Sequence, residues 1–110
     1  MPQYAQMSLA QLIDQGRQPH SYEAAQRELL RRAFVAGNGA AWDAVVPLLW
    51  PRLLQMAYAT SADLTPARAE QIAYLALLRF QRLLTTSLSS AQPFPTYLTL
   101  IRWLQQCMGE

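Results

Sequence analysis

The side chains that can do chemistry are few and dispersed. His20 is the single histidine, and it follows Pro19 in what reads as a turn between helices, where an imidazole is usually solvated or caps a helix end. Asp43 and Glu70 fall on different helical segments and can approach one another. Two acids with no histidine, cysteine or third acid beside them are poor grounds for a metal site. Gly37-Asn38-Gly39 has the small residues of an anion-binding turn, but it lacks the lysine and the preceding strand of a phosphate loop. These residues predict no catalytic group, no metal and no cofactor, and therefore a binding protein rather than an enzyme.

Composition points the same way. Charged residues make up 15% and hydrophobic ones 52% of the 110 residues, which leaves a surface poor in charge, part of it suited to binding protein. The formal charge is +2, and all nine basic residues are arginines, which favour bidentate pairing with carboxylate or phosphate. So small a net charge supplies little long-range attraction to nucleic acid. A lone Cys107 excludes an intrachain disulfide and a thiolate metal cluster, and suits a reducing compartment. The start, M-P-Q-Y-A-Q-M-S-L-A, lacks the basic then apolar order of a signal peptide. Arg52, Gln55, Arg79 and Gln81 interrupt the richest apolar runs before they reach membrane-spanning length. A soluble, cytoplasmic protein is expected.

The periodicity is helical throughout. Ser8 with Gln11 forms a capping-box pattern for a short helix to about Gln15, stopped by Gly16 and Pro19. Ser21 is placed to cap a second helix, with Leu29, Leu30, Ala33 and Phe34 turned inward and a Glu28–Arg32 pair on the wet side. Gly37 ends it, and Asn38 caps a third helix in which Trp42, Val45, Val46, Leu49, Leu53, Met56 and Ala57 share one side. Pro47 and Pro51 lie inside that helix and predict a bend or two abutting helices. Thr65 and Pro66 open the next, whose inner arc is Ile72, Ala73, Ala76, Leu77, Phe80, Leu83 and Leu84. Arg68, Gln71, Arg79 and Arg82 form a stripe outside it, with Tyr74 and Leu78 beyond the core arc. Thr85 to Pro95 reads as a loop, and a last helix runs from about Pro95 to Met108, burying Tyr97, Ile101, Leu104 and Met108. The expected fold class is an all-α, compact single-domain helical bundle. It has three long helices, one bent around Pro51, and residues 1–20 are an accessory helix and linker before a helical domain over 21–110.

Four ordered segments resemble the clamp-binding and promoter-melting domain of bacterial RNA polymerase sigma factors, especially the extracytoplasmic-function class. E-L-L-R-R-A-F-V-A-G-N-G-A-A-W-D-A-V-V from Glu28 is similar to E-L-V-x-R-x-x-x-G-D-x-x-A-F-x-x-L-Y, with Gly37, Asn38, Ala41 and Trp42 at the glycine, cap, alanine and aromatic positions. W-P-R-L-L-Q-M-A from Trp50 resembles R-P-R-L-x-x-L-A, proline included. A-E-Q-I-A-Y-L-A-L-L-R-F-Q from Ala69 follows A-E-D-L-V-Q-E-V-F-L-R-x-W, and F-P-T-Y-L-T-L-I-R-W-L from Phe94 follows F-R-x-W-L-x-x-I-A-R-N. The resemblance covers about Glu28 to Met108. It implies a sigma-like helical fold, tolerance of Pro51, and core RNA polymerase as a partner. The departures fall on working positions: Gln71, Tyr74 and Leu75 stand where the family has polar and acidic groups facing the clamp, and Trp103 and Leu104 stand where it has an arginine and an asparagine near DNA. The second, helix-turn-helix domain usual in the family is not in the sequence up to Glu110.

Two functions compete on these residues. A sigma-like transcription module would touch DNA through Arg79, Arg82, Phe94, Arg102 and Trp103, the arginines on phosphates and the aromatics on unpaired bases, with weak affinity that falls steeply with salt. A protein-interaction or self-association module would use Gln71, Tyr74, Leu75, Leu78 and Leu100 to hold a regulator or a second copy. Loss of the polar working positions favours protein recognition over DNA reading.

Overall fold

The computed structural model describes residues 4–87 and 94–108. After a 3-10 turn at Tyr4–Gln6 come α1 (Leu9–Gln15), α2 (Tyr22–Phe34), α3 (Gly39–Ala59), α4 (Pro66–Ser87) and α5 (Tyr97–Met108). The described residues hold no strand. Four helices of three or more turns follow the short α1, where three long ones were expected. Of the Thr85–Pro95 connection, the helix takes the first residues and positions 88–93 lie outside the described residues.

Local signals act as their chemistry dictates at most helix ends. Ser8 Oγ accepts from the Gln11 backbone while Gln11 Oε1 accepts from the Ser8 N–H, satisfying two orphan donors of α1. Asn38 Oδ1 accepts from the N–H groups of Ala40 and Ala41, and Thr65 Oγ1 from that of Arg68. Ser21 departs from expectation. Its hydroxyl makes no cap for α2 and donates instead to the Gln15 carbonyl at 2.9 Å, tying the end of α1 to the start of α2. Helix α2 stops at Phe34, earlier than expected, and Gly37 turns the chain at φ 68. The rings of Phe34 and Trp42 then meet edge to face across that turn, 5.2 Å apart.

Helix α3 is continuous through both prolines, which excludes two abutting helices. Pro47 and Pro51 sit one turn apart on the exposed side. Each removes one ladder donor, so the carbonyls left without a partner, those of Asp43 and Pro47, face water rather than core. The opposite side, Ala41, Val45, Leu49, Leu53 and Ala57, is fully buried.

The core runs through every helix. Leu12 of α1, Leu29 and Leu30 of α2, Phe80 and Leu84 of α4, and Leu100 and Leu104 of α5 join the α3 row. The 1–20 segment therefore contributes Leu12 to the same core that the rest of the chain builds. Ala33, Phe34, Trp42, Ile72, Ile101 and Met108 pack against this core while partly exposed. Gly16 has an ordinary helical φ, and a side chain there would make Leu48 shift. A Cβ there would lie 2.7 Å from Leu48 Cδ1 and 3.0 Å from the Leu12 carbonyl oxygen.

Candidate functional site

Polar side chains at the α1, α2 and α5 junction are consumed by the fold. The Tyr97 hydroxyl donates to Gln26 Oε1 at 2.9 Å, and Gln26 Nε2 donates to the Gly16 carbonyl at 3.0 Å, joining three elements through buried groups. Burial is the main cause that raises the Tyr97 phenol above its ordinary range.

The Glu28–Arg32 pair does not lie on the wet side. Glu28 is buried, and it accepts from Arg31 Nε and Nη2 at 2.9 and 2.7 Å and from Arg32 Nε at 2.8 Å. A carboxylate with three charge-assisted donors can be buried at acceptable cost, whereas one salt bridge at the surface would contribute little. The Arg31 hydrogen bond is the largest influence on the Glu28 carboxyl, burial opposes it, Arg32 adds to it, and the net pKa is lowered. Arg32 Nη2 also faces the carbonyls of Tyr4, Ala5 and Met7 at 2.6–3.1 Å, which pins the N-terminal turn to α2.

The five residues expected at nucleic acid are not gathered. Phe94 lies partly buried under the Arg27 guanidinium, 5.4 Å from the ring centre, and Arg27 also donates to the carbonyls of Phe94 and Pro95 at 2.8 and 2.7 Å. Arg79 Nη1 donates to the Cys107 carbonyl at 3.0 Å. Phe94 precedes the start of α5 and Cys107 lies at its end, so about 18 Å of helix separates the ring from Arg79. Trp103 packs against the core, while Arg82 and Arg102 stand exposed.

The residues expected at a protein interface divide differently. Tyr74, Leu75 and Leu78 are 55%, 41% and 43% exposed, and Gln71 is exposed beside them. Leu100 is a correction. It is fully buried, because the Tyr97–Leu100–Leu104 spacing makes the inner stripe of α5. Val35, Tyr58 and Leu98 are also exposed, each on a different element, whereas α4 carries three exposed large apolar residues within five positions. Arg68, Ile72, Leu75 and Arg79 of α4 and Met108 of α5 line a groove of ≈ 330 Å³. Leu78, Gln81, Arg82, Thr85 and Thr86 line another of ≈ 370 Å³.

No protein-family model, curated protein or solved structure matches the chain. Among the described residues, no three His, Cys, Asp or Glu side chains converge, and no helix is long and apolar enough to cross a membrane. Cys107 is half-buried, and burial raises its thiol pKa against a smaller opposing pull from Arg79, so the reactive thiolate is a minor form at neutral pH. Sequence reasoning missed the Gln26–Tyr97 link, since glutamine and tyrosine so far apart in the chain give no local signal.

Proposed function

We propose that the chain is a non-catalytic, sigma-like transcription module that docks on core RNA polymerase through the outer face of α4, with recognition of protein taking precedence over reading of DNA. The observation that carries this reading is where the exposed apolar residues of α4 fall. Tyr74 and Leu75, with Gln71, occupy the positions that the sigma resemblance assigns to the polymerase clamp, with apolar side chains in place of the family's polar and acidic ones. Exposed leucine and tyrosine gain from being covered, at roughly 25 cal/mol per Å² of apolar surface removed from water. The DNA arm has less support, because Phe94 and Trp103 are engaged with their own fold.

Retention of bacterial core RNA polymerase by the immobilised chain tests the reading. Wild type should retain it, and Leu78→Arg should not, while both keep the same helical circular dichroism. Absence of polymerase from the wild-type eluate at low salt overturns the proposal. Fluorescence anisotropy with single-stranded and duplex promoter-like DNA tests the DNA arm. Weak binding that is lost with salt and reduced by Arg102→Ala is expected, and no binding at low salt removes that arm.

A further inference from the structure

We infer that the outer face of α4 takes an acidic amphipathic helix, whose apolar stripe covers Leu75 and Leu78 and whose flanking carboxylates pair with Arg68, Arg79 and Arg82. This rests on the reading of that face as a docking face and adds the chemistry of its occupant: with Gln71, Tyr74 and Leu75 in place of the acidic and polar groups of the sigma pattern, the arginines set the sign of its charge. Arg68, Leu75, Arg79 and Arg82 recur at spacings of seven, four and three, which places them on one stripe of the helix. The three arginines are exposed, and among the described residues the ion pairs are those of Glu28 with Arg31 and Arg32. Glu70, the one acid of α4, lies two residues from Arg68 and so on the far edge, one turn from Tyr74. The face is thus an apolar ridge with a cationic margin, and Arg68 and Arg79 line one groove together with Ile72, Leu75 and Met108.

Charge complementarity decides among occupants. A second copy packed face to face about a two-fold axis would bring arginine stripe against arginine stripe, which is unfavourable. A nucleic-acid strand would satisfy the arginines but leave Leu75 and Leu78 uncovered. An acidic helix with leucines at i, i+4 and i+7 meets both requirements. Guanidinium also suits carboxylate bidentately, which fixes register.

The test is a fluorescence anisotropy titration with two synthetic end-capped helical peptides of about 20 residues. They share one leucine stripe and differ only in flanking glutamates or flanking lysines. The acidic peptide should bind wild type about tenfold more tightly than the basic one, and the preference should shrink as salt rises to about 1 M. Double reversal, R68E with R82E, should invert the preference. Leu78→Arg should weaken both peptides. Equal binding, no binding, or preference for the basic peptide overturns the inference, as does a salt-resistant homodimer in sedimentation equilibrium or displacement of the acidic peptide by single-stranded DNA. Polymerase retention without acidic-peptide binding would reject this inference and leave the proposed function standing. Acidic-peptide binding without polymerase retention would do the reverse.

Discussion

Helices α2 and α4 each carry three arginines, and the two sets are used in opposite ways. On α2, Arg27 is bonded to two carbonyls and a ring, Arg31 to Glu28, and Arg32 to Glu28 and the N-terminal turn. On α4, Arg68 meets the amide oxygen of Gln71, Arg79 meets one carbonyl at the end of α5, and Arg82 is exposed. The difference comes from neighbours rather than from residue type. A guanidinium beside a buried carboxylate and orphan carbonyls becomes part of the fold, whereas one beside exposed leucines keeps most of its pairing capacity for another molecule.

The largest expected effect separates the inner face of α4 from its outer one. Phe80 is the largest fully buried side chain, so Phe80→Ala should lose about 3–5 kcal/mol in denaturant unfolding through lost transfer energy and an added cavity. Tyr74→Ala, on the exposed side of the same helix, should change stability by about 0.5 kcal/mol or less. Similar losses for the two would mean that the faces have been assigned wrongly.

Glu28→Gln is next. It leaves Arg31 and Arg32 facing a neutral group in a partly buried site, and a cost of about 3 kcal/mol is expected, at the low end for buried pairs because Arg31 is one-third exposed. The sign of the pH dependence follows from the lowered Glu28 pKa. The unfolded chain takes up the proton first as pH falls, so the stabilisation is complete at neutral pH and is lost through the ordinary carboxylate range and below it. Thermal melts of wild type and Glu28→Gln should therefore converge between neutral pH and about pH 3. A gap that stays constant across that range would show that the carboxylate charge is not what holds the network.

Arg32→Ala should cost somewhat less, about 2 kcal/mol, because Arg31 still serves Glu28 while the carbonyls of Tyr4, Ala5 and Met7 lose their donor. Hydrogen exchange reads this separately. The amides around Leu9 to Leu12 should exchange faster in the variant than in wild type, and unchanged exchange there would mean that the turn is held by the packing of Tyr4 and Met7 instead.

Helix identity and the inner stripes were legible because they rest on local rules. Ser8 with Gln11, Asn38, Thr65 with Pro66, and the three and four spacing of Val45, Leu49 and Phe80 each carry their own signal. What was hidden depends on distant partners. Glu28 and Arg32 read as a surface pair because spacing says that they meet but not that Arg31 and the N-terminal turn cover them. Leu100 read as surface because Ile101 was given the inner position, whereas the Tyr97–Leu100–Leu104 stripe is the one that turns inward where α5 packs on α4, α2 and α3. The outer face of α4 was legible as residues at fault with the core arc, Tyr74 and Leu78. Sequence alone does not separate its arginines from those of α2, which differ by the internal partners they meet in the fold.

Arg82→Ala is the smallest perturbation of stability and the sharpest test of the comparison. Arg82 is exposed and lies in no ion pair among the described residues, so its truncation should shift the unfolding midpoint by no more than about 0.5 kcal/mol, against about four times that for Arg32→Ala. The binding assay should rank the two variants in the reverse order. Arg82→Ala should weaken the acidic peptide, with the loss diminishing at high salt, because a rim charge acts through screened attraction. Arg32→Ala, measured at a temperature where it remains folded, should bind as wild type does, since its guanidinium is bonded to Glu28 and to carbonyls of the N-terminal turn rather than displayed on α4. If both variants lose stability equally, or both lose binding equally, the division between arginines that build the fold and arginines that meet a partner does not hold.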